Sequence, residues 1–288
     1  MTLADRIKKV RQVEIKTRQL VASVFSGRYH ARFKGRGVHF SEIRPYLPGD
    51  DVRLIHWGQF AKTQQLYINV YEEERELSVL LAVDLSRSGG FGSQDQTKRE
   101  LAAEVAAILG FSAHLNQDRV GLLLFTDQIE KMVPIKKSKR HVMSILQDIF
   151  YFEPRHSQTN LAQGARAILN GQHQKSVVFF ISDFLDTGYE TAFRVLAARH
   201  EVVPIVIQDP IETTLPNTGV IPVQDSETGA TAYLDTGNPQ VREQYRNHLA
   251  QLRDSRNRFF ASLKMRAIEL TTGESVVIPL RRYFEGLR

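Results

Sequence analysis

The chain contains no cysteine among its 288 residues. Disulfide bonds, thiolate metal ligands and cysteine nucleophiles are therefore excluded. Long apolar runs are also lacking, since no segment approaches the roughly 20 apolar residues that a membrane-spanning helix needs. The first twenty residues carry charges throughout and have no apolar core of the kind found in secretory signals. These absences predict a cytoplasmic protein without a transmembrane segment.

Positive charge is concentrated near the N-terminus. Residues 1–62 hold 13 Lys and Arg against 5 Asp and Glu, a balance of +8, whereas the other 226 residues hold 25 against 27, a balance of −2. Such a basic region either faces an anionic partner, such as nucleic acid, or presents a solvated helix face. The sequence leaves both alternatives open.

The first 74 residues are predicted to form a small module, with a helix at 3–25 and then an extended, β-rich segment. Pro48 and Gly49 suit the two central positions of a type II turn. Residues 65–71 alternate apolar and polar side chains, as a half-buried strand does.

From residue 75 to 288, apolar strands alternate with amphipathic helices, and this pattern predicts a doubly wound α/β fold with a mostly parallel sheet. A β-hairpin near 220–236 interrupts the alternation. Strands are predicted at 77–84, 120–125, 128–135, 176–183, 202–207 and 265–271. Helices are predicted at 97–115, 138–149, 161–170, 188–199 and 240–262.

Two of the apolar strands end in an acidic residue, Asp84 and Asp183. Ligands of open α/β sheets bind beyond the carboxyl ends of the strands. Ser86 and Ser88 follow Asp84 at alternate positions, so the three side chains can converge on one point. One carboxylate and two hydroxyls are hard oxygen donors, which suit Mg²⁺ or Mn²⁺. The alternative is that the acidic residues only cap helices.

These residues resemble the metal-ion-dependent adhesion site of the von Willebrand factor A fold, whose pattern is D-x-S-x-S, a distant Thr and a distant Asp. The matching residues are Asp84, Ser86, Ser88, Thr159 and Asp183. The resemblance implies a von Willebrand factor A-like, Rossmann-type topology. It also implies a metal ion that binds a carboxylate of a protein ligand rather than one that catalyses a reaction. Phe184 and Leu185 depart from the small polar loop of many members, which bears on the ligand preference.

A second resemblance lies upstream, where residues 44–57 read RPYLPGDDVRLIHW. This segment is similar to the R-x-Y-x-P-G-D-D-x-R-x-I-x-W signature of the bacterial domain-of-unknown-function-58 family. Members are typically encoded beside MoxR-type AAA+ ATPases, so the resemblance implies an adaptor that works with such an ATPase in protein assembly or remodelling. Within the signature we expect the arginines to pair with Asp50 or Asp51, and Trp57 to be a buried anchor.

Two other functions compete with the metal-dependent adaptor. Nucleic-acid binding depends on the basic and aromatic residues of segment 28–36. A Mg²⁺-dependent hydrolase would need Asp50, Asp51 and His56 to join the ion, yet the histidines lack the spacing of metal ligands. No phosphate-binding loop and no serine nucleophile elbow is present. We therefore expect a protein-binding function without catalysis.

Overall fold

The structure is a computed structural model that describes residues 39–72, 76–93, 96–213, 215–224 and 231–286. The helix predicted at 3–25 and the basic segment 28–36 lie outside these ranges. The strands are β1 (His39–Pro45), β2 (Tyr67–Glu72), β3 (Ser78–Asp84), β4 (Arg119–Phe125), β5 (Ile129–Lys136), β6 (Val177–Ser182), β7 (Glu201–Gln208), β8 (Val220–Gln224), β9 (Thr231–Asp235) and β10 (Ile268–Thr271).

Eight helices accompany these strands in the described ranges. They are α1 (Trp57–Thr63), α2 (Lys98–Leu115), α3 (Lys139–Tyr151), α4 (Leu161–Gly171), α5 (Glu190–Arg199), α6 (Pro210–Thr213), α7 (Pro239–Ser262) and α8 (Val277–Glu285). None of them combines the length and the apolarity that crossing a bilayer requires.

The central sheet has six strands in the order β10-β7-β6-β3-β4-β5, and only β5 runs antiparallel to its neighbour. Numbered along the chain within this sheet, the order is 3-2-1-4-5-6, which is the doubly wound arrangement. The predicted fold class is therefore confirmed. The strand order reverses between β3 and β6, which pair side by side, so the ligand-binding crevice of such a fold is expected at their carboxyl ends.

Helices cover both faces of the sheet because alternate residues of each strand point to opposite sides. Leu81 packs in a cluster with Val105 of α2 and Ile145 of α3, whereas Leu80 packs on the other face with residues of α4 and α5 such as Phe193. All five of these side chains are buried. Each such buried side chain contributes about 1.5–3 kcal/mol through the hydrophobic effect, which fixes the strands and hence their carboxyl ends.

The signature segment, residues 44–57, forms the turn and the ion pairs that the sequence predicts. The Asp50 N–H donates to the Leu47 carbonyl at 3.0 Å, and Gly49 has a φ of +106°, as a type II turn requires. Arg44 binds the Asp50 carboxylate with both terminal nitrogens, at 2.9 and 2.8 Å. These contacts hold the connection between β1 and β2, which form a two-stranded antiparallel sheet.

One expectation in the apolar pattern is wrong. Trp57 is 64% exposed rather than buried, because it begins the short helix α1, which contacts only β2 appreciably among the described elements. Most apolar side chains along α7 are half-buried or exposed, with Leu252 39% exposed. The buried residues of α7 are instead Arg256 and Phe260, both near its C-terminal end.

The predicted hairpin forms from β8 and β9, which pair in antiparallel register. Its turn at 225–230 lies outside the described ranges. A division of the chain into modules 1–74 and 75–288 remains a prediction.

Candidate metal centre

Asp84 ends β3 at the point where the strand order reverses. Its Oδ1 accepts the N–H of Ser86 at 2.9 Å, and its Oδ2 accepts the hydroxyl of Ser182, the last residue of β6, at 2.8 Å. Burial and, to a lesser extent, the negative charge of nearby Asp183 together raise the pKa of Asp84 to about 7, although the hydrogen bonds from Ser86 and Ser182 oppose the shift. The carboxylate therefore lies in a place that favours an added positive charge.

Ser86 and Ser88 converge beside this carboxylate. A short 3₁₀ turn at Arg87–Gly90 folds the chain back, and the two hydroxyl oxygens lie 3.1 Å apart. The Arg87 N–H donates to the carbonyl of Ser157 at 2.9 Å, so the serine segment is tied to the loop that precedes α4. Asp84, Ser86 and Ser88 thus line one cleft, and their side chains converge as the sequence predicts.

Asp183 follows β6 and reaches the same cleft. Its Oδ1 accepts the N–H of Leu185 at 3.3 Å, and its side chain is 8% exposed. Phe184 adopts a φ of +55°, an unusual conformation for a bulky residue, and turns the chain sharply after the strand. The Phe184 ring is buried against Phe180 and Phe260, with ring centroids 5.8 and 5.2 Å away. The packed ring holds the turn and so fixes where Asp183 points.

A buried ammonium group completes the cluster. Lys98, the first residue of α2, is 3% exposed, and its Nζ lies 2.9 Å from Asp183 Oδ2 and 2.6 Å from Glu212 Oε1. Burial alone would lower the pKa of Lys98, but the charges of Asp183 and Glu212 outweigh it and raise the pKa. Glu212 is held in turn, because its Oε2 accepts the Asp209 N–H at 2.9 Å. Lys98 is thus a fixed internal cation beside Asp183.

Thr159 is partly buried in the loop before α4. The same loop carries the Ser157 carbonyl that binds the Arg87 N–H, which brings it next to the serine segment. Thr159 is not among the residues that line the cleft around Asp84. The structure therefore brings together four of the five residues named from the sequence and places the fifth on an adjoining loop.

The donor set fits a small hard cation. The cleft around Asp84 has a volume of about 20 Å³, which is the scale of one water molecule or one ion. Its oxygen donors are the carboxylates of Asp84 and Asp183 and the hydroxyls of Ser86 and Ser88, which suit Mg²⁺ or Mn²⁺. Across the described ranges, no group of three or more His, Asp or Glu side chains is placed to share a metal. A site here therefore depends on the serine oxygens.

Three residues of this site, Lys98, Glu212 and Ser182, were not predicted from the sequence. One signal for Lys98 is available, because a lysine in the first turn of a helix opposes the helix dipole and so suggests another partner. Ser182 ends an apolar strand directly before Asp183, which is a weaker signal. Glu212 has none, since its role depends on a contact with a residue 114 positions away.

The residues proposed for a hydrolase do not join this cleft. Asp50 and Asp51 bind Arg44 and Arg53, and the Nδ1 of His56 accepts the Gln59 N–H at 2.9 Å. The side chains of Asp50, Asp51 and His56 do not line the cleft around Asp84.

Comparison with known proteins identifies the family. The model of the family described as "Protein of unknown function DUF58" matches residues 42–255. Uncharacterized protein Rv1480 of Mycobacterium tuberculosis is 30% identical over 239 residues, which cover 82% of this chain and 75% of that protein.

Among solved structures, the conserved hypothetical protein BatB from Bacteroides thetaiotaomicron has a TM-score of 0.48 at 14% identity, over 73% of this chain and 98% of that one. The SpRpn10 VWA domain has a TM-score of 0.39 at 12% identity, over 73% of this chain and 95% of that one. The family match spans the signature turn, β3 with Asp84 and β6 with its following Asp183. The chain belongs to the DUF58 family of proteins of unknown function.

Proposed function

We propose that this chain is a protein-binding adaptor with a Mg²⁺ or Mn²⁺ site that takes a carboxylate of a partner protein. The observation that supports this most directly is the pair of serine hydroxyls 3.1 Å apart beside the Asp84 carboxylate. The residues that would hold the ion are Asp84, Ser86, Ser88, Thr159 and Asp183. When bound, the ion would supply an electrophilic contact for an anionic ligand.

Binding is favoured over hydrolysis by the groups that line the cleft. General-base catalysis needs a side chain that can take a proton from water near the ion. The other ionisable residues lining the cleft are Lys98 and Arg99. Lys98 is paired with Asp183 and Glu212, and Arg99 donates to the carbonyl of Phe152. The cleft thus offers anchoring groups and no additional base.

A MoxR-type AAA+ ATPase is the partner we propose. This choice follows from the resemblance of residues 44–57 to the family signature, and an acidic residue of the ATPase would reach the ion. The function would then be assembly or remodelling of other proteins, with this chain as the adaptor.

Metal binding is tested by removing the two hydroxyls without changing charge. The double variant Ser86→Ala/Ser88→Ala should lose the Mg²⁺-dependent rise in melting temperature and the heat of Mg²⁺ binding in calorimetry. Ser112→Ala is the matched control, because its hydroxyl is buried in α2 and has no hydrogen-bond partner among the described residues. The control should keep both signals. Equal Mg²⁺ responses in all three proteins would show that these serines hold no ion.

Partner binding is tested by capture of the purified MoxR-type ATPase from the same genome on immobilised protein. We expect capture in Mg²⁺, loss of capture in EDTA, and loss with Ser86→Ala/Ser88→Ala but not with Ser112→Ala. Capture that is unchanged by EDTA and by the double variant would show that a metal-bridged contact is not the mechanism.

A further inference from the structure

A second cleft adjoins the metal centre and lies between the sheet edge and α7. It has a volume of about 260 Å³, and Asp183 and Ile207 line both clefts. Leu185 and Glu212 lie on the sheet side, whereas Tyr245 and Leu249 come from α7. A ligand group at the metal centre is therefore continuous with a groove that can take further side chains of the ligand.

The α7 side of this groove is positively charged. Arg246 and Arg253 line it, are exposed, and have no acidic partner within hydrogen-bond distance among the described residues. Arg256 lies deeper in the groove and is already paired with Glu269 at 2.6 Å. The charge of Arg253 also acts on Arg256 and helps to lower its pKa, after the larger effect of burial. Two arginines are thus left to bind an anion that the described chain does not supply.

The groove also has apolar surface. Leu185 is 50% exposed and Leu252 is 39% exposed, and both line it. Exposed leucines beside arginines fit a peptide that has both acidic and apolar side chains, since the arginines bind carboxylates and the leucines cover apolar groups. A nucleic-acid backbone fits less well, because its sugars and phosphates offer no aliphatic side chains to cover Leu185 and Leu252.

We propose that this groove binds an acidic segment of the partner protein, with one carboxylate directed to the metal centre and a second carboxylate bound by Arg246 and Arg253. The contact of the first carboxylate with the metal centre depends on the proposed function. The binding of the second carboxylate by Arg246 and Arg253 depends only on the groove. The predicted ligand is a short peptide with two acidic residues separated by an apolar one.

The test uses a fluorescein-labelled Glu-Leu-Glu-Leu-Glu-Glu peptide and fluorescence anisotropy, with the full chain at physiological ionic strength, where the Debye length is about 8 Å. In Mg²⁺, the variant Arg246→Glu/Arg253→Glu should bind at least about tenfold more weakly than the parent, because both carboxylate contacts become repulsive. The matched control is Arg140→Glu/Arg166→Glu, which makes the same change in net charge on exposed positions of α3 and α4 outside the groove. The control should change affinity by less than about twofold, since exposed charges a Debye length away are screened.

The outcomes separate the two proposals. Equal weakening in the groove variant and the control, or absence of peptide binding to the parent at millimolar concentration, overturns the groove proposal. A single-stranded oligonucleotide that binds more tightly than the peptide and is released by the same groove variant also overturns it. Binding that needs Arg246 and Arg253 but is unchanged by EDTA supports the groove and contradicts the metal-bridged function.

Discussion

The Nζ of Lys98 lies 2.9 Å from the Oδ2 of Asp183, and this ion pair is shielded from water on both sides. The lysine side chain is 4% exposed and the aspartate side chain 8% exposed. Asp183 and Glu212 therefore compensate the charge of Lys98, and Asp84, which lines the same cleft, has no cation of its own among the described residues.

The first prediction concerns the loss of that ammonium. Lys98→Met keeps most of the side-chain volume but leaves Asp183 and Glu212 uncompensated, which should lower the free energy of unfolding by about 3–5 kcal/mol in metal-free buffer. Mg²⁺ should restore part of this loss, so the Mg²⁺-dependent gain should be larger in the variant than in the parent. Urea denaturation with and without Mg²⁺ measures both quantities.

Lys175→Met is the control for this comparison, because Lys175 is an exposed lysine on a loop. It should change the free energy of unfolding by no more than about 0.5 kcal/mol. A Lys98→Met protein as stable as this control would show that the buried charges of Asp183 and Glu212 need no ammonium.

The strands and the order of chemical groups along them were predictable because they depend on local pattern. Apolar runs of strand length mark β3 and β6. The residues at their carboxyl ends are polar because this edge of a doubly wound sheet faces the ligand-binding crevice. The convergence of Asp84, Ser86 and Ser88 was equally local, since the three lie within five positions. These features need only the alternation of a strand and the rule that ligands bind at carboxyl ends.

The features that were missed depend on contacts between distant parts of the chain. Lys98 meets Asp183 across 85 positions and Glu212 across 114 positions, and no local pattern encodes such a pair. The prediction that Trp57 is buried was wrong for a related reason. An aromatic residue is buried only when another element of the fold covers it, and the local sequence does not show which element does so. On α7, Tyr245, Leu249 and Leu252 line a groove, and apolarity alone does not distinguish a groove from a core.

The second prediction concerns a buried carboxylate that holds the loop after Ser88. Asp209 is fully buried and accepts the Ser93 N–H at 2.9 Å, the Ser93 hydroxyl and the Thr272 hydroxyl at 2.6 Å. Burial alone would raise the pKa of Asp209, but these hydrogen bonds outweigh it and lower the pKa. Because the folded-state pKa is depressed, the stabilisation is present above the unfolded value of about 3.9 and is lost as the pH falls through the folded value.

Asp209→Asn should therefore cost about 1.5–3 kcal/mol of the free energy of unfolding at pH 7, the worth of hydrogen bonds to a charged group. The difference between parent and variant should shrink steadily as the pH is lowered below 4. Chemical denaturation at a series of pH values measures this difference. A cost that stays constant from pH 7 to pH 3 would indicate that the charge of Asp209 is not what the loop needs.

The last prediction compares two glycines of the loop that carries Ser86 and Ser88. A Cβ on Gly92 would lie 2.7 Å from the Gln96 carbonyl oxygen and 2.8 Å from the Thr97 Cα, whereas a Cβ on Gly90 meets no atom within 4 Å. Both close contacts of Gly92 are with backbone, so they cannot be relieved by rotation of a side chain. Gly92→Ala should therefore displace the loop or the start of α2 and cost about 1–3 kcal/mol of stability.

Gly90→Ala should change the free energy of unfolding by no more than about 0.5 kcal/mol, since the added methyl group has open space. Because Gly92 connects the serine segment to the N-cap Thr97 of α2, its alanine variant should also weaken Mg²⁺ binding, while the Gly90 variant binds Mg²⁺ like the parent. Denaturation and Mg²⁺ calorimetry on the two variants measure stability and affinity separately. If Gly92→Ala is destabilised but binds Mg²⁺ unchanged, the loop geometry matters for folding and not for the metal centre; if the two alanine variants behave alike, the close approach to Gln96 and Thr97 is not a constraint on this loop.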